Sequence, residues 1–258
     1  MISITLPSIH ADALARTLGN LRDTTRNEYQ VVVVSPFEPP QIVGSKGSLT
    51  WVKEFHQLGC NAGHAAGLSR VERPYIMAWV DDHTLADGWD VEALKDFQEG
   101  ARRGRPYLLG LRQVYPEQIG TVFGRYYPYF PFMQTADAKA LGWFDGSYRM
   151  DFADADLALR LYTAGGIVEW AHNSCIIVHR DDERKNGRDI CHPDMKLFLE
   201  RWVSKFGSGW KTTSLRDFNL DCDLNDLKFL DDRIGIEGRT TYSKVKADAD
   251  NRPHDKNQ

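Results

Sequence analysis

Two acidic clusters hold the side chains best suited to chemistry in this sequence. In Tyr75-Ile-Met-Ala-Trp-Val-Asp-Asp-His-Thr-Leu-Ala-Asp-Gly-Trp89 an apolar run stops at two adjacent carboxylates, Asp81 and Asp82, followed by the imidazole of His83. Such an ending can hold a divalent metal, although Asp also turns a chain after a strand by bonding its own backbone. In Asp151-Phe-Ala-Asp-Ala-Asp-Leu-Ala-Leu-Arg-Leu-Tyr-Thr-Ala-Gly-Gly166 three acids crowd the start of a helical stretch. Asp151 and Asp154 have the spacing of a capping box, and all three acids would gain from the helix dipole. Three acids where one would suffice also suit a site in which one carboxylate abstracts a proton. A short strand then ends at Val178-His179, where a histidine is either a surface residue or a further ligand.

The elements that must position these groups follow from periodicity. Ile2 to Leu6 alternates like a first strand ended by Pro7, and Leu14, Leu18 and Leu21 recur at helical spacing until the polar Asp23 to Asn27. Val31 to Val34 is a continuous β-branched run, hence a buried strand, closed by Ser35-Pro-Phe-Glu-Pro-Pro40. A short strand at Leu49 to Phe55 and a small-residue helix at Gly59 to Arg70 lead into the strand at Tyr75, which is charge-free up to Asp81 and so covered on both faces. In open α/β sheets ligands collect at the carboxyl ends of such strands, which is where Asp81 and Asp82 stand.

Beyond Trp89 the pattern predicts a helix through Phe97, strands at Tyr107 to Leu111 and Ile119 to Phe123, and a helix at Thr135 to Leu141. A helix from about Asp154 stops at Gly165-Gly166, followed by two short strands, Ile167 to Trp170 and Cys175 to Val178. His192 to Phe206 forms an amphipathic helix with Met195, Phe198, Leu199, Trp202 and Val203 inward. Tyr126-Tyr-Pro-Tyr-Phe-Pro-Phe132 packs a core or walls a planar ligand. The domain expectation is a catalytic unit over 1–215, an acidic extension over 216–239 draped on it, and a tail from 240 to 258 too poor in apolar residues to offset the entropy of ordering.

The bulk composition narrows the function classes. The 258 residues are 42% hydrophobic and 11% aromatic, enough for a substantial core without staples. A net charge of -4 with no long Lys/Arg run gives no indication of nucleic-acid binding. The four cysteines are widely spaced with no Cys-x-x-Cys pair, which fits a reducing cytoplasm better than a zinc ribbon or a disulfide framework. No apolar run is long enough to span a bilayer, so a soluble chain, cytoplasmic or peripheral to a membrane, is expected.

From Ile2 to about His179 the chain resembles GT-A fold glycosyltransferases, most closely family 2. The blocks come in order: Ile2 to Pro7 as the opening strand, Val31 to Ser35 as the second, and Gly59 to Gly67 with Tyr75-Ile76 before the metal strand. Val80-Asp-Asp-His83 is similar to the Asp-x-Asp region, and Gly142-Trp-Phe-Asp145 to the acceptor-side Gly-x-Phe-Asp block. Asp154-Ala-Asp-Leu-Ala-Leu-Arg160 is similar to the Glu-Asp-x-Asp motif and its continuation, and His179 falls where many members place a late ligand.

The resemblance implies a Rossmann-like α/β fold with a mostly parallel mixed sheet flanked by helices. It implies inverting transfer of a sugar from a nucleoside diphosphate sugar to an acceptor hydroxyl on a glycan, a lipid-linked molecule or a small molecule. Mn²⁺ or Mg²⁺ would be held by Asp82, with His179 and His83 as further ligands, an imidazole favouring Mn²⁺. Pro7, Ser35, Glu38 and Asp81 would face the donor nucleotide. Asp154 would be the base, Asp156 the second choice, with Arg160 paired to Asp156 at i to i+4. Two departures stand out: Ser35-Pro-Phe-Glu38 replaces the acids that usually end the second strand, and Ala153 replaces the Glu before the base. A degenerate sugar-nucleotide or glycan binder is the reading these departures would support. A nucleotidyltransferase is a third reading, opposed by the lack of a Gly-rich basic loop near the N-terminus.

Overall fold

The computed structural model describes residues 1–56, 59–113, 120–123, 125–179 and 192–206, with 113, 172–179 and 192 described through their backbone. The first half runs β1 (Ile2–Pro7), α1 (Ala11–Thr24), β2 (Tyr29–Ser35), β3 (Gly47–Lys53), α2 (Cys60–Gly67), a 3-10 turn, β4 (Tyr75–Ala78), β5 (His83–Leu85) and α3 (Trp89–Ala101). The second runs β6 (Tyr107–Gln113), β7 (Gly120–Val122), β8 (Arg125–Tyr127), β9 (Pro131–Gln134), α4 (Thr135–Leu141), α5 (Ala153–Thr163), β10 (Ile167–His179) and α6 (His192–Phe206).

One sheet of eight strands, ordered β3-β2-β1-β4-β9-β6-β10-β5, forms the centre, and β7 and β8 make a separate two-stranded ribbon. β3, β2, β1 and β4 are parallel neighbours, as the alternating βαβ pattern requires. All seven residues of β2 are buried, which explains its unbroken valine run. Leu14, Leu18 and Leu21 bury the inner face of α1. The small residues of α2 permit close approach to the sheet: a Cβ on Gly63 would lie 2.6 Å from the Pro7 side chain. The second half inserts β9 antiparallel between β4 and β6, then returns to a parallel pair, β6 and β10. The expected α/β architecture with a mostly parallel mixed sheet is therefore present.

Several local expectations are corrected. β4 stops at Ala78 rather than running to Val80, although Trp79 beyond it is fully buried. His83–Leu85, to which the sequence reading assigns no element, is a short edge strand antiparallel to β10, and Asn20 seals its free edge by donating to the Leu85 carbonyl and accepting from the Leu85 amide. The two strands expected after Gly166 are one, β10, whose register shifts between Trp170 and Cys175. The aromatic segment is core: Tyr126, Tyr127, Phe130 and Phe132 are buried. No helix among the described residues is long and apolar enough to cross a membrane. The acidic extension at 216–239 and the tail at 240–258 lie outside the described residues.

Candidate functional site

The turn after β4 sits at the carboxyl end of the parallel strands, tied to the end of β1. Asp81 is buried and accepts a hydrogen bond from the Ser8 hydroxyl at 2.6 Å, while its carbonyl accepts from the Thr17 hydroxyl at 3.0 Å. Asp82 points more outward, its side chain 24% exposed against 9% for His83. Asp82 Oδ1 lies 2.7 Å from His83 Nδ1. The His83 ring is enclosed by Trp79 and Phe130, with centroids 6.1 and 5.0 Å away. Its register partner across the β5 and β10 pair is His179, so the two histidines expected to flank a metal are backbone neighbours although far apart in sequence.

Carboxylate oxygen and imidazole nitrogen are donor types that Mn²⁺ accepts, and carboxylate oxygen is one that Mg²⁺ accepts. Among the described residues no three His, Cys, Asp or Glu side chains converge on one point, and the His179 side chain is outside that set.

A chain of contacts carries this turn to the start of α5. Pro7, at the end of β1, packs against Gly63 of α2. The N-terminal turn of α2 grips the segment before α5: Asn61 donates from its backbone to the Arg149 carbonyl and from its side chain to the Asp151 carbonyl, both at 3.1 Å. Asp154 follows in the first turn of α5, directly after the segment that Asn61 holds.

Asp154 and Asp156 stand two residues apart in contrasting surroundings. Asp156 is 0% exposed and fully engaged. It accepts from Arg160 at 2.7 Å, Arg201 at 2.9 Å, the Trp202 indole at 2.9 Å and the Tyr148 hydroxyl at 3.2 Å. The i to i+4 pair with Arg160 is as the spacing implied. With its oxygens so occupied Asp156 is a structural hub and is poorly disposed to act as a base. Asp154 keeps partial solvent access but sits among protein atoms. Burial pushes its carboxyl up to about 7, opposed by the Ala155 amide that donates to it at 2.8 Å. Nearby Asp151 acts in the same direction as burial.

The capping box expected from Asp151 and Asp154 is absent. The N-cap of α5 is Phe152, at φ 68° with no side-chain cap, and it is held from outside. The carboxylate of Asp194, in the first turn of α6, accepts from the amides of Arg149, Met150 and Asp151. Spacing alone could not reveal Asp194, because the partner segment is remote in sequence. Ser8, directly after Pro7, was overlooked for the opposite reason: a lone serine in a loop carries no pattern.

Of the residues expected at the nucleotide, Ser35 is fully buried at the end of β2, its hydroxyl donating to the Phe37 carbonyl at 2.5 Å. Glu38 is exposed beyond it. A groove of about 630 Å³ lined by Arg73, Tyr75, Gln134 and Lys139 opens at the other end of β4, away from the acids.

Among solved structures the chain is similar to S. aureus TarS. The 1–349 chain aligns with a TM-score of 0.45 and 16% identity, covering 69% of this chain and 58% of that one. The complex with UDP aligns at 0.47 and 14%, over 69% and 58%. The complex with UDP-GlcNAc aligns at 0.45 and 15%, over 69% and 56%. This chain thus spans little more than half the length of the TarS 1–349 chains that it matches. No family model and no curated protein sequence matches it.

Proposed function

We propose that the chain is an inverting glycosyltransferase that moves a sugar from a nucleoside diphosphate donor to an acceptor hydroxyl. What supports this reading is an outward carboxylate beside an imidazole in the turn after β4, together with a second carboxyl, Asp154, at the start of α5 and pushed up to about 7. A base that titrates near neutrality is matched to removing a hydroxyl proton at physiological pH.

Asp154 takes the acceptor proton as the acceptor oxygen forms its bond to the anomeric carbon. The bond from that carbon to the diphosphate breaks on the opposite face, and the diphosphate leaves with the electron pair. Asp82 and His179 would hold the cation, and His83, whose ring is enclosed and bonded to Asp82, serves better to orient Asp82 than to ligate. Mn²⁺ or Mg²⁺, when bound, supplies Lewis-acid stabilisation of the departing diphosphate. Asp81, held by Ser8, faces the donor side with Pro7, while Ser35 is committed within its own loop and leaves Phe37 and Glu38 to meet the nucleotide.

Release of nucleoside diphosphate from a panel of activated sugars, starting with UDP-GlcNAc and Mn²⁺, tests the reading. Turnover that Asp82→Ala abolishes together with metal-dependent donor binding, and that Asp154→Asn abolishes while donor still binds, is the expected outcome. Donor binding without turnover across acceptor mixtures would instead support a degenerate binder, the reading favoured by the inward Ser35 and by Ala153 in place of a second acid.

A further inference from the structure

We propose that Asp194, opposed by Asn61, is the positioning residue for Asp154: the two side chains clamp the backbone of 149–151, the segment that sets where α5 begins. The proposal rests on the reading of Asp154 as base. Asp194 is 1% exposed. Its carboxylate accepts three successive amides, from Arg149 at 3.1 Å to each oxygen, Met150 at 2.8 Å and Asp151 at 3.0 Å. Consecutive amides turned toward one anion form a concave nest, and a carboxylate in such a nest fixes the local backbone through charge-assisted bonds.

The opposite side of the segment is held as well. Asn61, also buried, satisfies the Arg149 and Asp151 carbonyls. Gly59, at φ 104°, makes room for it: a Cβ there would lie 2.2 Å from the Arg149 carbonyl oxygen. Phe152, next in the chain, adopts a left-handed conformation that phenylalanine disfavours. Its ring stacks on Phe198 at 4.9 Å, one helical turn beyond Asp194 in α6. α6 therefore supplies both the anion that gathers the amides and the ring that keeps Phe152 in place. The next residues are Ala153 and Asp154. The groups that bear on the Asp154 carboxyl are the Ala155 amide, its own backbone amide, Asp151 and Tyr127 of β8, whose phenol is raised by burial, by Tyr129 and by Asp154. If the clamp is loosened, more water reaches the carboxyl and the desolvation that raises it relaxes.

The test uses the full chain without substrate. Amide exchange and carboxyl-carbon NMR titration of Asp154 are measured in the parent, in Asp194→Asn, which turns an amide NH₂ toward the backbone donors, and in Asn61→Ala. Exchange of the 149–151 amides should rise about tenfold or more in Asp194→Asn, as loss of a charge-assisted bond implies, with the β1 and β2 amides still protected. The Asp154 midpoint should move down from about 7 toward the ordinary carboxylate range, and Asn61→Ala should move it the same way by less. An Asp154 midpoint unchanged in either folded variant overturns the clamp. Turnover by Asp154→Asn separately removes the base assignment, and leaves the clamp standing if the midpoint has moved.

Discussion

The turn after β4 and the start of α5 both concentrate acids, yet the two regions are built by different means. In the turn the partners are near in sequence or in the adjoining strand end: Asp82 meets His83, its neighbour, and Asp81 meets Ser8 just past β1. At α5 they come from afar: Asp156 is bound by Arg201 and Trp202 of α6, and the segment before Asp154 by Asp194 of α6 and Asn61 of α2. The comparison teaches that one acid of a close pair can be spent on architecture so that the other is left in a desolvated place, able to titrate near neutrality. Asp156 anchors α6 to α5, and Asp154 inherits the surroundings.

Breaking that division should be most costly at Asp156. Asp156→Ala leaves two guanidinium groups and an indole N–H without their shared acceptor, and a loss of about 3–5 kcal/mol in urea denaturation is expected for a broken buried ion pair. Asp154→Asn sharpens the contrast because it should spare the fold and slow transfer by roughly 10²–10⁴-fold, measured as nucleoside diphosphate release at saturating donor.

The same variant has a stability signature. The folded carboxyl of Asp154 titrates above its ordinary value of 3.8, so its favourable contribution is complete below that value and is lost as pH rises through about 7. Asp154→Asn should therefore melt higher than the parent at pH 8 and with the parent near pH 4, by differential scanning calorimetry. A smaller effect is expected in the turn. Ser8→Ala removes one donor from the buried Asp81 carboxylate and should cost about 1–3 kcal/mol by the same denaturation assay.

The first half of the fold was legible because each signal was local. The valine run of β2, the Leu14, Leu18 and Leu21 stripe of α1 and the glycines of α2 each act through the element that contains them. The second half was read less well where one element depends on another. His83–Leu85 is a strand only because β10 and Asn20 supply its hydrogen bonds, and β10 is continuous only because β6 carries it across a register shift. At the site, the order of motifs pointed to Asp82 and Asp154 as candidates, and the i to i+4 spacing gave the pair between Asp156 and Arg160 that the structure shows. The contrast in surroundings between Asp154 and Asp156 could not be read, because α6 supplies the partners of Asp156, and no spacing within 151–160 reveals what packs on it.

The pH dependence of nucleoside diphosphate release tests the central claim most directly. In the parent chain the rate should climb with pH and level off above a midpoint near 7, with that limb abolished in Asp154→Asn. A midpoint in the ordinary carboxylate range, or an Asp154→Asn chain that turns over donor at the parental rate, would contradict it.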